Sequence, residues 1–230
     1  MPRRNAVSVH RVIQDLESLY DPPRSFLTWE TPFELLIATI LSARCTDAQV
    51  NKVTPGLFRT YRTPEDYVKA SVAAVEKDIH SCGTFRMKTK NIRSLCRKLI
   101  EEFGGKVPQT MQELVSLSGV GRKTASIVLY AAFGQQEGIA VDTHVQRLSL
   151  RLGLSMHQTP EKIERDLMAQ VPREKWGVLN TLMISHGRAV CTGRNRKCGA
   201  CIFKDACPSS LTRGKRDLAT KRVDGVWQSV

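Results

Sequence analysis

An all-α fold is what this chain predicts, and three observations carry the prediction. Apolar residues recur at three- and four-residue spacing in almost every segment. Helix-start signatures, in which Thr is followed three residues later by Glu or Gln, stand at Thr31/Glu34, Thr46/Gln49 and Thr110/Glu113. No stretch alternates apolar and polar residues convincingly enough for a strand, and no internal repeat is present.

The elements follow in order. Val9, Val12, Ile13, Leu16, Leu19 and Tyr20 lie at helical spacing, and Asp21-Pro22-Pro23 ends that segment. Thr31 as N-cap, Pro32 at the first helical position and Glu34 closing a capping box open a second helix. Its apolar run at 33–41 predicts burial. Thr46 and Thr63-Pro64 open two more helices, and residues 87–102 form a basic helix ended by Gly104-Gly105. Thr110 opens a short helix running to about Leu117. Ser118-Gly119-Val120-Gly121 interrupts it, and an apolar helix resumes over 122–133 until Gly134. Asp142 or Thr143 caps a helix through Leu152, Thr159-Pro160 starts another, and 176–190 lead into a cysteine-rich segment. Residues 211–230, with Lys215, Arg216, Lys221 and Arg222, lack a strong apolar face and read as a flexible basic tail.

The 230 residues suffice for one domain or two small ones. Lys and Arg number 35 against 22 Asp and Glu, an excess of 13 that predicts a polyanionic partner, either nucleic acid or an acidic membrane surface. No stretch approaches the ~18 apolar residues of a membrane span, and the N-terminal residues do not form a signal-peptide apolar core. Of seven cysteines, four crowd between 191 and 207, which suits an intracellular metal site better than a disulfide framework.

Two constellations carry chemistry. A short helix, a two-glycine turn and a second helix make a helix-hairpin-helix candidate at 110–133. Backbone N–H groups of such a turn and of the following helix can hold a phosphate without reading bases. Lys123 lies in the first turn of the second helix, where the helix dipole disfavours a cation by ~0.3–1 kcal/mol. It is therefore a nucleophile candidate beside the simpler readings of a solvated lysine or a phosphate contact. The second constellation is Cys191, Cys198, Cys201 and Cys207, a four-thiolate set that suits either zinc or a [4Fe–4S] cluster. Arg194, Arg196 and Lys197 fall between the first two of these cysteines and can offer charge to phosphates.

LSGVGRKTA at 117–125, followed 19 residues after its lysine by the aspartate of AVDTHVQR, resembles the helix-hairpin-helix DNA glycosylases, and among them the endonuclease III family. LSARCTDAQVNK at 41–52, SHGRAVC at 185–191 and the cysteine spacing extend the resemblance over about residues 8–208. Ser118 departs from it, since the family usually has proline there.

The resemblance implies a two-lobed fold. A six-helix barrel over 27–137 carries the hairpin, and 1–26 together with 138–210 build an iron–sulfur lobe with a [4Fe–4S] cluster on the four cysteines. It also implies a bifunctional DNA glycosylase/AP lyase that excises oxidised pyrimidines from duplex DNA. Lys123 is then the Schiff-base nucleophile and Asp142 its assistant, although Asp142 read alone is equally a helix cap. Gly119, Val120, Gly121 and Arg122 are expected to contact DNA. Arg44 replaces a usual glutamine, and Thr84 follows Gly83 where a bulky apolar residue is common; these positions fill the gap left by an extruded base. Arg44 either fills that gap, with a preference for guanine opposite, or contacts a phosphate, and Phe85 can supply lost apolar bulk. His144 and His186 read as structural. A monomer in the cytoplasm of a prokaryote, at the nucleoid, is expected. The alternatives are an adenine-mismatch glycosylase, which shares the cysteine spacing but lacks the lysine and needs an acid near position 39 where this chain has Thr39, a monofunctional mismatch-thymine or uracil enzyme, disfavoured by Lys123, and a non-catalytic DNA-binding or electron-transfer protein.

Overall fold

The computed structural model describes residues 7–212, 220–223 and 226–229. Ser8 caps α1 (Val9–Leu19) by accepting the Arg11 N–H at 3.3 Å, and the helix buries Val9, Val12, Ile13 and Leu16. α2 (Pro32–Leu41) begins at the expected capping box: the Thr31 hydroxyl accepts the Glu34 N–H, and the Glu34 carboxylate accepts from the Thr31 N–H. Thr46 accepts from the Gln49 N–H at the start of α3 (Asp47–Thr60), and Thr63-Pro64 starts α4 (Pro64–Lys69). The chain then forms α5 (Val72–Asp78), capped by Ser71 and not anticipated from the sequence, a 3-10 turn (His80–Cys82) and the long α6 (Phe85–Phe103). α6 starts two residues before the expected 87 and ends at Gly104, which is left-handed at φ 58°.

Thr110 caps α7 (Met111–Val115), and α8 (Arg122–Phe133) ends on left-handed Gly134. α9 (Thr143–Leu152), α10 (Pro160–Met168) and α11 (Trp176–Ala189) complete the helices of the described residues. No helix among them is long and apolar enough to cross a membrane.

Two compact units share the chain. One comprises Pro22–Asp142 and Pro172–Thr181; the other comprises Met1–Asp21, Thr143–Val171 and Leu182–Val230. In the first, α2 is apolar all round and is the centre of the core. Leu35, Leu36, Ile37 and Leu41 are sealed from solvent with Ile92, Leu95 and Leu99 of α6 and Val128 and Leu129 of α8. Arg93 of α6 donates to the carbonyls of Tyr67 at 2.8 Å and Val68 at 3.2 Å, and also to that of Ala70, closing the C-terminus of α4 with a cation. In the second unit, α9 packs on α10 and buries Val145, Leu148 and Leu152.

The all-α class holds through the helical body. The expectation of no strand is corrected in the tail, where Thr220–Val223 and Val226–Ser229 pair antiparallel.

Candidate active site and cysteine centre

The turn between α7 and α8 is built from its glycines. Gly119 has φ 80°, and a Cβ there would lie 2.9 Å from the Asn91 side-chain nitrogen and 3.0 Å from its Cβ. A side chain at 119 is therefore excluded by both backbone and neighbour. Gly121 is the extended N-cap of α8, and a Cβ there would meet only open space. Val120 lies between these two glycines. Its side chain is buried and its N–H donates to the Leu117 carbonyl at 3.1 Å, so both serve the turn. Arg122 and Lys123 are exposed in the first turn of α8.

Asp142 is half-buried and immediately precedes α9. The segment leading to it is held from within: Ile139, Ala140 and Val141 are buried, and buried Asn180 donates its side-chain N–H to the Ala140 carbonyl at 2.6 Å. The backbone that delivers Asp142 to the start of α9 is thus anchored in the core.

Arg44 and Thr84 are both exposed and both left-handed, at φ 56° and 38°. Their loops meet, since a Cβ on Gly83 would lie 3.9 Å from the Arg44 carbonyl oxygen, and Gln49 donates to Ser81 at 2.9 Å. Phe85, next to Thr84, is half-buried. Its ring packs on His80 at a centroid distance of 4.5 Å, lies under Arg86, and leans on the core.

The four clustered cysteines line one cavity together with Arg151, His186, Arg196 and Phe203. Among the described residues, no three His, Cys, Asp or Glu side chains close on a single-ion site. Burial, followed by the neighbouring thiols, raises the Cys201 and Cys207 thiols. Arg151 donates to the Cys191 sulfur at 3.2 Å and to the Thr192 and Gly193 carbonyls at 2.8 and 3.1 Å. Arg147 donates to the Cys191 carbonyl at 3.0 Å. These two α9 arginines anchor the loop, a role that sequence reasoning missed; their i, i+4 spacing on α9 was the available signal.

His186 is buried, with its Nδ1 3.1 Å from the Tyr20 hydroxyl and its Nε2 3.4 Å from the Cys201 sulfur. Burial pulls its pKa down to about 4, which favours the neutral imidazole. Arg194 and Lys197 are exposed, whereas Arg196 is half-buried and turned into the cysteine cavity. This separates it from its two basic neighbours.

A hairpin of this build, carrying an exposed lysine and followed by a four-cysteine cavity, defines a helix-hairpin-helix DNA-repair class. Residues 37–173 match the HhH-GPD superfamily of base excision DNA repair proteins. Endonuclease III of Synechocystis sp. is 50% identical over 195 residues, which is 85% of this chain and 89% of that protein. Endonuclease III of Bacillus subtilis is 43% identical over 196 residues, with the same two coverages of 85% and 89%. The solved structure of a trapped endonuclease III–DNA covalent intermediate matches with a TM-score of 0.84 at 42% identity, covering 87% of this chain and 94% of that one. A thermostable thymine-DNA glycosylase matches with a TM-score of 0.75 at 25% identity, covering 87% and 94%. The chain belongs to the HhH-GPD superfamily and, within it, to the endonuclease III family.

Proposed function

We propose that this protein is a bifunctional DNA glycosylase/AP lyase of base excision repair that removes oxidised pyrimidines from duplex DNA. The observation that carries the proposal is the exposed Lys123 in the first turn of α8, directly after a turn whose Gly119 admits no side chain. In this reading the Nζ lone pair attacks C1′ of the damaged nucleotide, and the base departs with the electrons of the glycosidic bond. Opening of the sugar ring gives a Schiff base between C1′ and Nζ. Loss of a C2′ proton then expels the 3′ phosphate by β-elimination. Asp142 helps to deprotonate the amine or stabilises positive charge on the sugar.

Gly119, Gly121 and Arg122 contact the DNA backbone in this proposal, with the N-terminus of α8 facing a phosphate. The open space at Gly121 supports close approach from outside the chain. Val120 contributes by shaping the turn. The net charge of +13 supports a polyanionic partner. Arg194 and Lys197 lie exposed and available to phosphates.

Cys191, Cys198, Cys201 and Cys207 would hold the [4Fe–4S] cluster, and their lining of one shared cavity fits a group with a volume of its own. Bound there, a cluster supplies four iron–thiolate bonds and a redox-capable centre. Arg151 orients the Cys191 sulfur, and His186 orients that of Cys201. In this reading the protein works where its DNA substrate lies, in the cytoplasm at the nucleoid of a prokaryote.

Borohydride trapping on duplex DNA carrying one abasic site tests the reading. A covalent protein–DNA adduct is the expected result. Tight binding with no adduct would point to a non-catalytic DNA-binding protein.

A further inference from the structure

Lys88 is an unusual residue in this fold. It lies on α6 in a basic stretch of sequence, yet it is only 3% exposed. A lysine is almost never buried so fully unless it is paired. Its partners are two backbone carbonyls: the ammonium donates to Leu41 at 2.7 Å and to Cys82 at 2.5 Å. Leu41 is the last residue of α2, and Cys82 is the last residue of the 3-10 turn. Carbonyls at such ends lack partners within their own helix and carry partial negative charge, so a cation suits both.

The two acceptors are also the stems of two particular loops. Three residues after Leu41 comes Arg44, and two residues after Cys82 comes Thr84, the pair with left-handed backbones. A left-handed β-branched residue such as Thr84 persists only where its surroundings over-determine it. Lys88 supplies that constraint from a helix whose Ile92, Leu95 and Leu99 are fixed in the core. Burial lowers the Lys88 pKa from its ordinary value, and the two carbonyl hydrogen bonds are what the ammonium has in place of water.

We infer that Lys88 is a positioning residue that ties the Arg44 and Thr84 loops into one unit, the shape in which they fill the gap left by a nucleotide extruded from a duplex. The inference rests on the proposed glycosylase function. It follows that Lys88 matters where there is a gap to fill and far less where there is none. A single-stranded abasic oligonucleotide has no stack to enter and no partner base to meet, whereas excision from a duplex needs both loops in register.

The test uses the cluster-loaded full chain and its Lys88→Met variant. Excision of thymine glycol from a duplex is compared with borohydride trapping on a single-stranded abasic oligonucleotide. Duplex excision is expected to fall by about tenfold or more, because misplacing a positioning element by about 1 Å can cost 10²-fold. Single-strand trapping is expected to fall by less than about threefold, leaving a changed ratio that general destabilisation cannot produce. Equal losses on both substrates, or no loss on the duplex, overturn the inference. If Lys88→Met shows no cooperative thermal transition, Lys88→Arg takes its place, since it keeps the charge but shifts the donors. A duplex-to-single-strand ratio unchanged from wild type in that variant overturns the inference equally. Wild-type protein that binds both DNAs but neither excises nor traps contradicts the proposed function itself, which is a distinct outcome.

Discussion

Arg44 and Thr84, 40 positions apart, are the two non-glycine residues with left-handed backbones among those described, and the loops that carry them touch. Strain of this kind costs on the order of 1–3 kcal/mol per residue and collects at functional sites. Arg44 presents an exposed planar guanidinium able to stack and to donate a fork of hydrogen bonds, which suits the acceptor edge of guanine. Arg44→Gln is therefore expected to shrink a preference for lesions opposite guanine by ~1–3 kcal/mol. Excision rates for one lesion placed opposite each of the four bases check this. An equal loss opposite all four, with a shallower salt dependence, assigns Arg44 to a phosphate instead.

Lys123→Gln is expected to abolish borohydride trapping while leaving binding to abasic DNA largely intact. Lys123 is exposed and packs into no core, so the thermal midpoint should also hold. Persistent trapping in the variant would mean that another amine performs the chemistry.

Asp142→Asn retains an oxygen able to cap α9 and removes the charge. Stability should change little. Base excision is expected to fall by about tenfold or more, the scale of ordinary acid–base effects. Single-turnover rates together with thermal melts separate the two roles. Normal excision in a normally folded variant would leave capping alone.

The cysteine cavity predicts a brown protein with about four irons per chain and no stoichiometric zinc. Elemental analysis and the visible absorption spectrum decide it. A colourless, zinc-loaded and active preparation is the contrary result.

The cysteines outside that cavity make a separate prediction. Burial pushes the Cys82 thiol up to about 11 and the Cys96 thiol up to about 12. Neither has an appreciable thiolate fraction at neutral pH, and the thiolate is the reactive form. Iodoacetamide at pH 8 should leave both unmodified in the native protein and alkylate both after denaturation, as read by peptide mass spectrometry. Prompt native labelling of either would contradict the burial argument.

Much of the fold was written locally. Capping signatures at Thr31, Thr46, Thr63 and Thr110 all precede helices in the structure, because a cap and its three following residues form a self-contained hydrogen-bonding unit. The helix that α2 forms was legible as buried because it is apolar on every side. The hairpin glycines, Lys123, Asp142 and the four-cysteine set were equally visible, since each is a short motif of fixed spacing.

Only the tertiary structure decided which way the ambiguous side chains face. Lys88 and Lys90 lie two residues apart in one basic run, yet the first is sealed against a carbonyl 47 residues away and the second is exposed. Arg194 and Arg196 share a loop, but one faces solvent and the other the cysteine cavity. Val120 turns inward, and Arg44 and Thr84 adopt backbones that their own sequence disfavours. In each case the deciding partner is distant along the chain. Burial and strain are set by what packs from elsewhere, which periodicity and spacing do not encode.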